Sequence, residues 1–196
     1  MGIAKELKVK VLPRPIANKF VKANHYSGRV VNNSSVHLGV YYDGQLHGVM
    51  QFGPSFDKRK IQGLVQGTGW NEFIELNRLA FDDFLPKNSE SRAIAIALRM
   101  FKKNTPHIKW VVSFADGTLC GDGTIRAKMT FTKGKHILKT QGRAGIPPGS
   151  KTLKGFQLKY VYFIDKESEK FLTVPVLPFS AIREAGAGMY KGKTRL

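Results

Sequence analysis

Apolar and polar residues alternate from Leu7 to Leu12, and this period of two predicts a short strand that Pro13-Arg14-Pro15 breaks. Ile16, Phe20 and Ala23 then recur at helical spacing. They predict a short helix over Ile16 to Ala23 that stops near His25-Tyr26-Ser27-Gly28, where the glycine suits a helix end. Val36 to Tyr42 and Gln45 to Phe52 flank Asp43-Gly44, the pair most typical of a two-residue hairpin turn. A glycine-rich stretch from Ile61 to Gly69 interrupts the pattern before a strand ending at Phe81. Ile94, Ala95, Ile96, Ala97, Leu98 and Met100 leave little polar face between Ser91 and Lys103, so this segment predicts a helix packed on a sheet. Asn88 suits its cap, Glu90 and the Lys102-Lys103 pair complement its dipole, and Pro106 blocks its continuation. A further strand, Ile108 to Ala115, ends on Asp116 and enters the loop Gly117 to Gly123. Beyond it the pattern predicts a short helix from Thr124 to Met129, strands near His136 to Lys139 and Gln157 to Ile164, and a Pro/Gly-rich end. There is no internal repeat.

This order of strand, helix, hairpin, strand, loop, helix and strand resembles the GNAT acyltransferase core. The expected fold class is therefore α/β, a GNAT-like mixed and strongly bent central sheet with helices on both faces. Residues 1–180 are expected to form one such domain and 181–196 a basic C-terminal tail. With 196 residues and 42% hydrophobic content the chain can bury a real core. It has no long apolar run for a membrane span, and its first residues lack the apolar stretch of a signal peptide. A lone cysteine, Cys120, excludes an internal disulfide and fits a reducing compartment; as a loop cysteine with no adjacent histidine it reads as a bystander.

Charge narrows the partners further. Lys and Arg number 32 against 14 Asp and Glu, a net +18, which is too one-sided for an ordinary enzyme of small molecules and points to a polyanion. From Arg126 to Lys159 there are nine bases and no acid, so Lys128, Lys133, Lys135, Lys139 and Arg143 are the expected phosphate contacts. No basic amphipathic helix with an aromatic face favours a membrane surface instead. Trp70, Phe131 and Tyr160 interleave with bases and could stack on a nucleotide, although most aromatics of such a domain belong to its core.

Several segments together resemble the Mom family of phage DNA-modification proteins. They are His25-Tyr26-Ser27-Gly28, Val49-Met50-Gln51-Phe52-Gly53, Glu75-Leu76-Asn77-Arg78-Leu79, Asn88 to Arg92, Ser113-Phe114-Ala115-Asp116, Gly121 to Ile125, Tyr160 to Phe163 and Val174 to Pro178, in this order over about residues 18–179. The resemblance implies conversion of adenine in double-stranded phage DNA to a methylcarbamoyl-type derivative at its exocyclic amine. It also implies protection from host restriction and a place in the host bacterial cytoplasm. The family pattern has a histidine where this chain has Asp122 and a tyrosine where it has Arg126, so Asp122, Thr124 and Arg126 mark an altered substrate pocket.

An adenine amine is a poor nucleophile, and its transfer chemistry needs a base, an activated donor and hydrogen-bond donors for a developing oxyanion. Asp116, at a strand end, is the expected base; as a structural carboxylate it would cap the following glycine turn. Ser113 lies three residues earlier, on the opposite pleat face if the strand stays regular. His25 and Tyr26 could act as an organic acid/base and stacking pair, or with Asp116 hold iron. Arg78, on an otherwise apolar strand, should face a pocket or pair with an acid such as Glu75. Arg92 can grip a donor or DNA phosphate, or pair with Glu90 or Asp82. By analogy with GNAT folds an acyl-CoA-type donor would meet Asn88, Ser91 and Arg92, although this loop lacks the usual glycines. The same features also admit a non-catalytic DNA-binding protein of this fold, or an acyltransferase acting on RNA or a protein lysine. The oligomeric state is left open, a dimer included.

Overall fold

Pro13 ends the first strand, β1 (Lys8–Val11), and Pro15 enters the first turn of helix α1 (Arg14–Asn24), where a missing N–H removes no intrahelical bond. The computed structural model describes residues 5–116, 128–132, 136–137, 153–154, 157–176, 190–191 and 194–195, with side chains described for 5–115 and 159–176. Asp43-Gly44 closes the hairpin of β2 (Val36–Tyr42) and β3 (Gln45–Gly53), both residues with positive φ as the tight turn requires. A short helix, α2 (Lys58–Gln62), precedes β4 (Phe73–Phe81); helix α3 (Ser89–Asn104) and β5 (Trp110–Asp116) follow. Strands β1 to β4 pair antiparallel in sequence order, and β4 runs parallel to β5 from Phe73↔Trp110 to Leu76↔Ser113. The chain continues through β6 (Lys128–Thr132), β7 (His136–Ile137), β8 (Leu153–Lys154), β9 (Gln157–Phe163), a 3-10 turn at Glu167–Phe171, β10 (Tyr190–Lys191) and β11 (Thr194–Arg195).

Two compact units divide these elements: residues 1–113 with 161–174, and 114–160 with 175–196. In the first, α1 buries Ala17 and Val21 against Leu12, Val49 and Ala80 on one face of the sheet. On the other face Phe101 of α3 meets Phe52 edge-on, with ring centroids 4.8 Å apart. The end of β9 adds to the sheet beside β5, where Lys109 O accepts from the Ile164 and Asp165 amides. In the second unit β6 lies beside β9, and two small antiparallel pairs form, β7 with β8 and β10 with β11.

Three details depart from the sequence pattern. Asn88 stands at the start of α3 in a left-handed conformation (φ 76°) and its side chain makes no cap bond, so it serves by backbone geometry alone. Lys128 and Met129, expected at a helix end, open strand β6, whose Lys-Met-Thr-Phe-Thr alternates with the strand period. Tyr160 is buried in β9, which makes it core and not a stacking platform. Among the described residues no helix is long and apolar enough to cross a membrane.

Candidate functional site

His25 caps the C-terminus of α1, its amide still donating to Val21 O, and the chain reverses through Gly28 at φ +59°. The reversal returns the Ser27 amide to the imidazole. Nδ1 accepts from Ser27 N at 3.1 Å and lies 2.9 Å from Ser27 Oγ. A nitrogen that accepts an amide N–H carries no proton, so this network assigns the ring proton to Nε2. Burial, with the Arg78 charge adding to it, lowers the His25 pKa to about 4. The ring is therefore neutral at pH 7 and offers an N–H donor, not a base. Tyr26 lies against it, ring centroids 4.2 Å apart, and is 60% exposed.

Strand β4 supplies the other wall. Gln51 faces Arg78 but Phe52 faces Leu76, so Asn77 is the extra residue of a β-bulge. Glu75 and Asn77 share a face by the strand period, and the bulge brings to them Arg78, which a regular strand would send to the other face. Arg78 donates from Nε to Arg29 O (2.9 Å) and from Nη1 to Asn77 O (2.7 Å). Two carbonyls thus hold the guanidinium, and the Glu75 and Tyr26 groups act on it through charge, opposing the drop that burial causes in its pKa. Burial raises the Glu75 pKa, while Ser55, Asn77, Arg78 and the Phe56 amide favour its ionised form. The Ser55 hydroxyl, itself buried, makes no hydrogen bond of normal geometry. Opposite Glu75 runs Gly53, where a Cβ would stand 2.3 Å from Asn33 O and 2.8 Å from Asn77 Oδ1, so only glycine lets the strand pass this close.

The remaining candidates divide. Ser113 is half-buried and its hydroxyl reaches Leu76 O at 3.4 Å. At the start of α3 the Ser89 amide and hydroxyl both donate to Pro86 O, the Arg92 amide donates to Asn88 O, and Glu90 places a half-buried carboxyl with a raised pKa in the first turn. Ser91 is half-buried there and Arg92 is exposed. Of the residues expected to meet a donor, Arg92 is the exposed cation of this turn. Asp116 ends β5, but its side chain, with those of Lys128 and Phe131, lies outside the described residues, as do Cys120, Asp122, Thr124, Arg126, Lys133, Lys135, Lys139 and Arg143.

Among the described residues no three His, Cys, Asp or Glu are grouped to hold a metal. Binding iron through His25 Nε2 would move the proton to Nδ1 and break the bond from the Ser27 amide. Asp116, the third donor expected for iron, has its side chain outside the described residues.

His25 also sets an acid-sensitive step in stability. Its folded pKa lies below its ordinary value of 6.5, so its contribution is present above that value and lost as pH falls toward about 4. After discounting for partial exposure the loss should be about 1–2 kcal/mol. Thermal melts between neutral and mildly acidic pH are expected to show it, and His25→Gln to flatten that slope; an unchanged slope would contradict the assigned protonation.

Comparison with known proteins follows the same residues. The sequence model of the Mom protein family matches residues 6–128. Methylcarbamoylase mom of Escherichia phage Mu is 41% identical over 113 residues, 58% of this chain and 47% of that protein. The chain thus matches over about half the length of this curated relative. Among solved structures, FeeM, an N-acyl amino acid synthase from uncultured soil microbes, is 13% identical, covers 85% of this chain and 95% of its own, and has a TM-score of 0.50. A GNAT family acetyltransferase from Brucella melitensis, in complex with acetyl-CoA, is 13% identical, covers 56% and 76%, and has a TM-score of 0.40, too low to add to the argument. The expected α/β, GNAT-like fold class stands.

Proposed function

The chain belongs to the Mom protein family, and on that premise we propose that it is a phage enzyme that modifies adenine in double-stranded DNA. The product is a methylcarbamoyl-type derivative at the exocyclic amine, which shields the DNA from host restriction. The observation that carries this reading is that the family match spans His25, Tyr26, Glu75, Arg78, Ser113 and Asp116 together. A net charge of +18 supports a polyanionic partner independently.

The proposed chemistry assigns these groups as follows. The target amine is hidden in a stacked pair, so the adenine is flipped out of the duplex. As the amine attacks, a carboxylate takes its proton. Glu75 is the candidate in the described site, because burial has raised its basicity, and Asp116 remains the candidate on β5. His25 Nε2–H, Tyr26 and Arg78 donate hydrogen bonds or positive charge to the oxygen on which negative charge develops. An acyl-CoA-type donor would supply the activated carbonyl and leave as its thiolate, with Arg92 the residue to meet its phosphates. Lys128, Lys133, Lys135, Lys139 and Arg143 are proposed to hold backbone phosphates, with Asp122, Thr124 and Arg126 lining the base pocket.

Plasmid recovered from bacteria expressing the chain is expected to resist restriction endonucleases whose sites contain adenine. Plasmid from cells with an empty vector should be cut. Equal cutting of both would remove the protective role, and product on RNA or protein lysines instead would favour the other acyltransferase readings.

A further inference from the structure

Phe56 is 96% exposed, more than any other large apolar side chain among the described residues. A single exposed phenylalanine is common on protein surfaces. The backbone under this one, however, is fixed on both sides. Pro54 O accepts from Asn33 Nδ2, Ser55 is buried, and the Phe56 amide favours the ionised carboxyl of Glu75. On the other side Asp57 caps α2, its carboxylate accepting from Lys60 N at 3.4 Å and its carbonyl from Ile61 N at 3.0 Å, and Ile61 is buried. The ring is thus presented on a rigid base at the rim of the Glu75 site.

Its neighbours are cationic and aromatic. Lys58, Arg59 and Lys60 follow directly on α2. Lys58 Nζ lies 4.4 Å from the centroid of Trp70, which is itself half-exposed. An apolar, flat group flanked by cations on a chain of net charge +18 matches a stack of bases between two phosphate backbones. An acidic protein surface would satisfy the cations but would leave the ring without a slot.

We propose that Phe56 is a wedge that enters the base stack of duplex DNA and fills the gap left by an adenine turned out toward Glu75 and Arg78, while the basic residues of α2 hold the flanking phosphates. The proposal rests on the DNA-modification reading above and adds how the duplex is opened. A wedge must be bulky and apolar, so leucine should replace phenylalanine in part and alanine should not.

The test uses a duplex fragment in which 2-aminopurine replaces a fraction of the adenines, because its fluorescence rises when it leaves the stack. At saturating protein, wild type and Phe56→Leu are expected to raise the signal severalfold and Phe56→Ala to leave it near that of free DNA. An equal rise with Phe56→Ala, or no rise with wild type, overturns the wedge. Melting temperatures should match throughout, since the ring is exposed. Nucleosides from the DNA of expressing cells are read in parallel. Modified adenine without a fluorescence rise leaves the enzyme and removes the wedge; a rise without modified adenine leaves the wedge and removes the enzyme.

Discussion

Glu75→Gln is expected to lower DNA modification by about a hundredfold or more, the usual contribution of a positioned general base. The substitution keeps the size of the side chain and its ability to bond Ser55 and Asn77, but removes the basicity that burial has raised. In the wild-type enzyme activity should fall as acid protonates Glu75, and this fall should lie at higher pH than for an ordinary carboxylate. In Glu75→Gln that limb should vanish. Stability separates this from a structural role. A carboxyl whose folded pKa is raised stabilises the fold below its unfolded pKa and loses that contribution as pH rises through the folded one. At neutral pH the neutral glutamine should therefore melt no lower than wild type. Full activity in Glu75→Gln together with loss in Asp116→Asn would move the base to β5, and a large fall in melting temperature would make Glu75 structural.

Arg78 carries the second large effect. Arg78→Met removes both bonds that the guanidinium makes to Arg29 O and Asn77 O, and with them the positive charge near His25 and Glu75. A loss of about a hundredfold or more in modification rate is expected if that charge faces the developing oxyanion. The acid limb should also move to higher pH, because Arg78 lowers the Glu75 pKa and its absence leaves only Ser55, Asn77 and the Phe56 amide to oppose burial. Arg78→Lys keeps the charge but not the two-carbonyl fork, so it should lose rate with a smaller move of the limb. A pH–rate profile of the two variants beside wild type checks this; profiles that superimpose on wild type would take Arg78 out of the site.

Periodicity was a good guide wherever it was sustained. The hairpin around Asp43-Gly44, α1 and α3 stand within a few residues of their expected bounds, although α1 buries Ala17 and Val21 and leaves Ile16 and Ala23, two of the three residues that predicted it, exposed. Helix α2 escaped notice because five residues give no periodic window. It forms through the Asp57 cap and the burial of Ile61, at the edge of a glycine-rich stretch. The bulge at Asn77 was equally illegible, since a register slip depends on the partner strand and not on the residues of β4 alone.

The same slip explains what the sequence could and could not say of the site. Arg78 stood out as a charge on an apolar strand, yet Glu75 came into view only as its partner in an ion pair. The bulge makes Glu75 a half-buried carboxyl with polar neighbours of its own, and turns Arg78 toward two carbonyls. His25 was legible as a candidate but not in its state. An acid/base reading needs a free ring nitrogen, and the Ser27 amide occupies Nδ1 only because Gly28 turns the chain back.

The most direct measurement is mass spectrometry of the nucleosides in DNA from cells expressing the chain, compared with Glu75→Gln and an empty vector. The account predicts a deoxyadenosine-derived mass carrying the added methylcarbamoyl-type group in wild type alone. Unmodified deoxyadenosine in all three samples would contradict it and leave a DNA-binding protein or an enzyme of another acceptor.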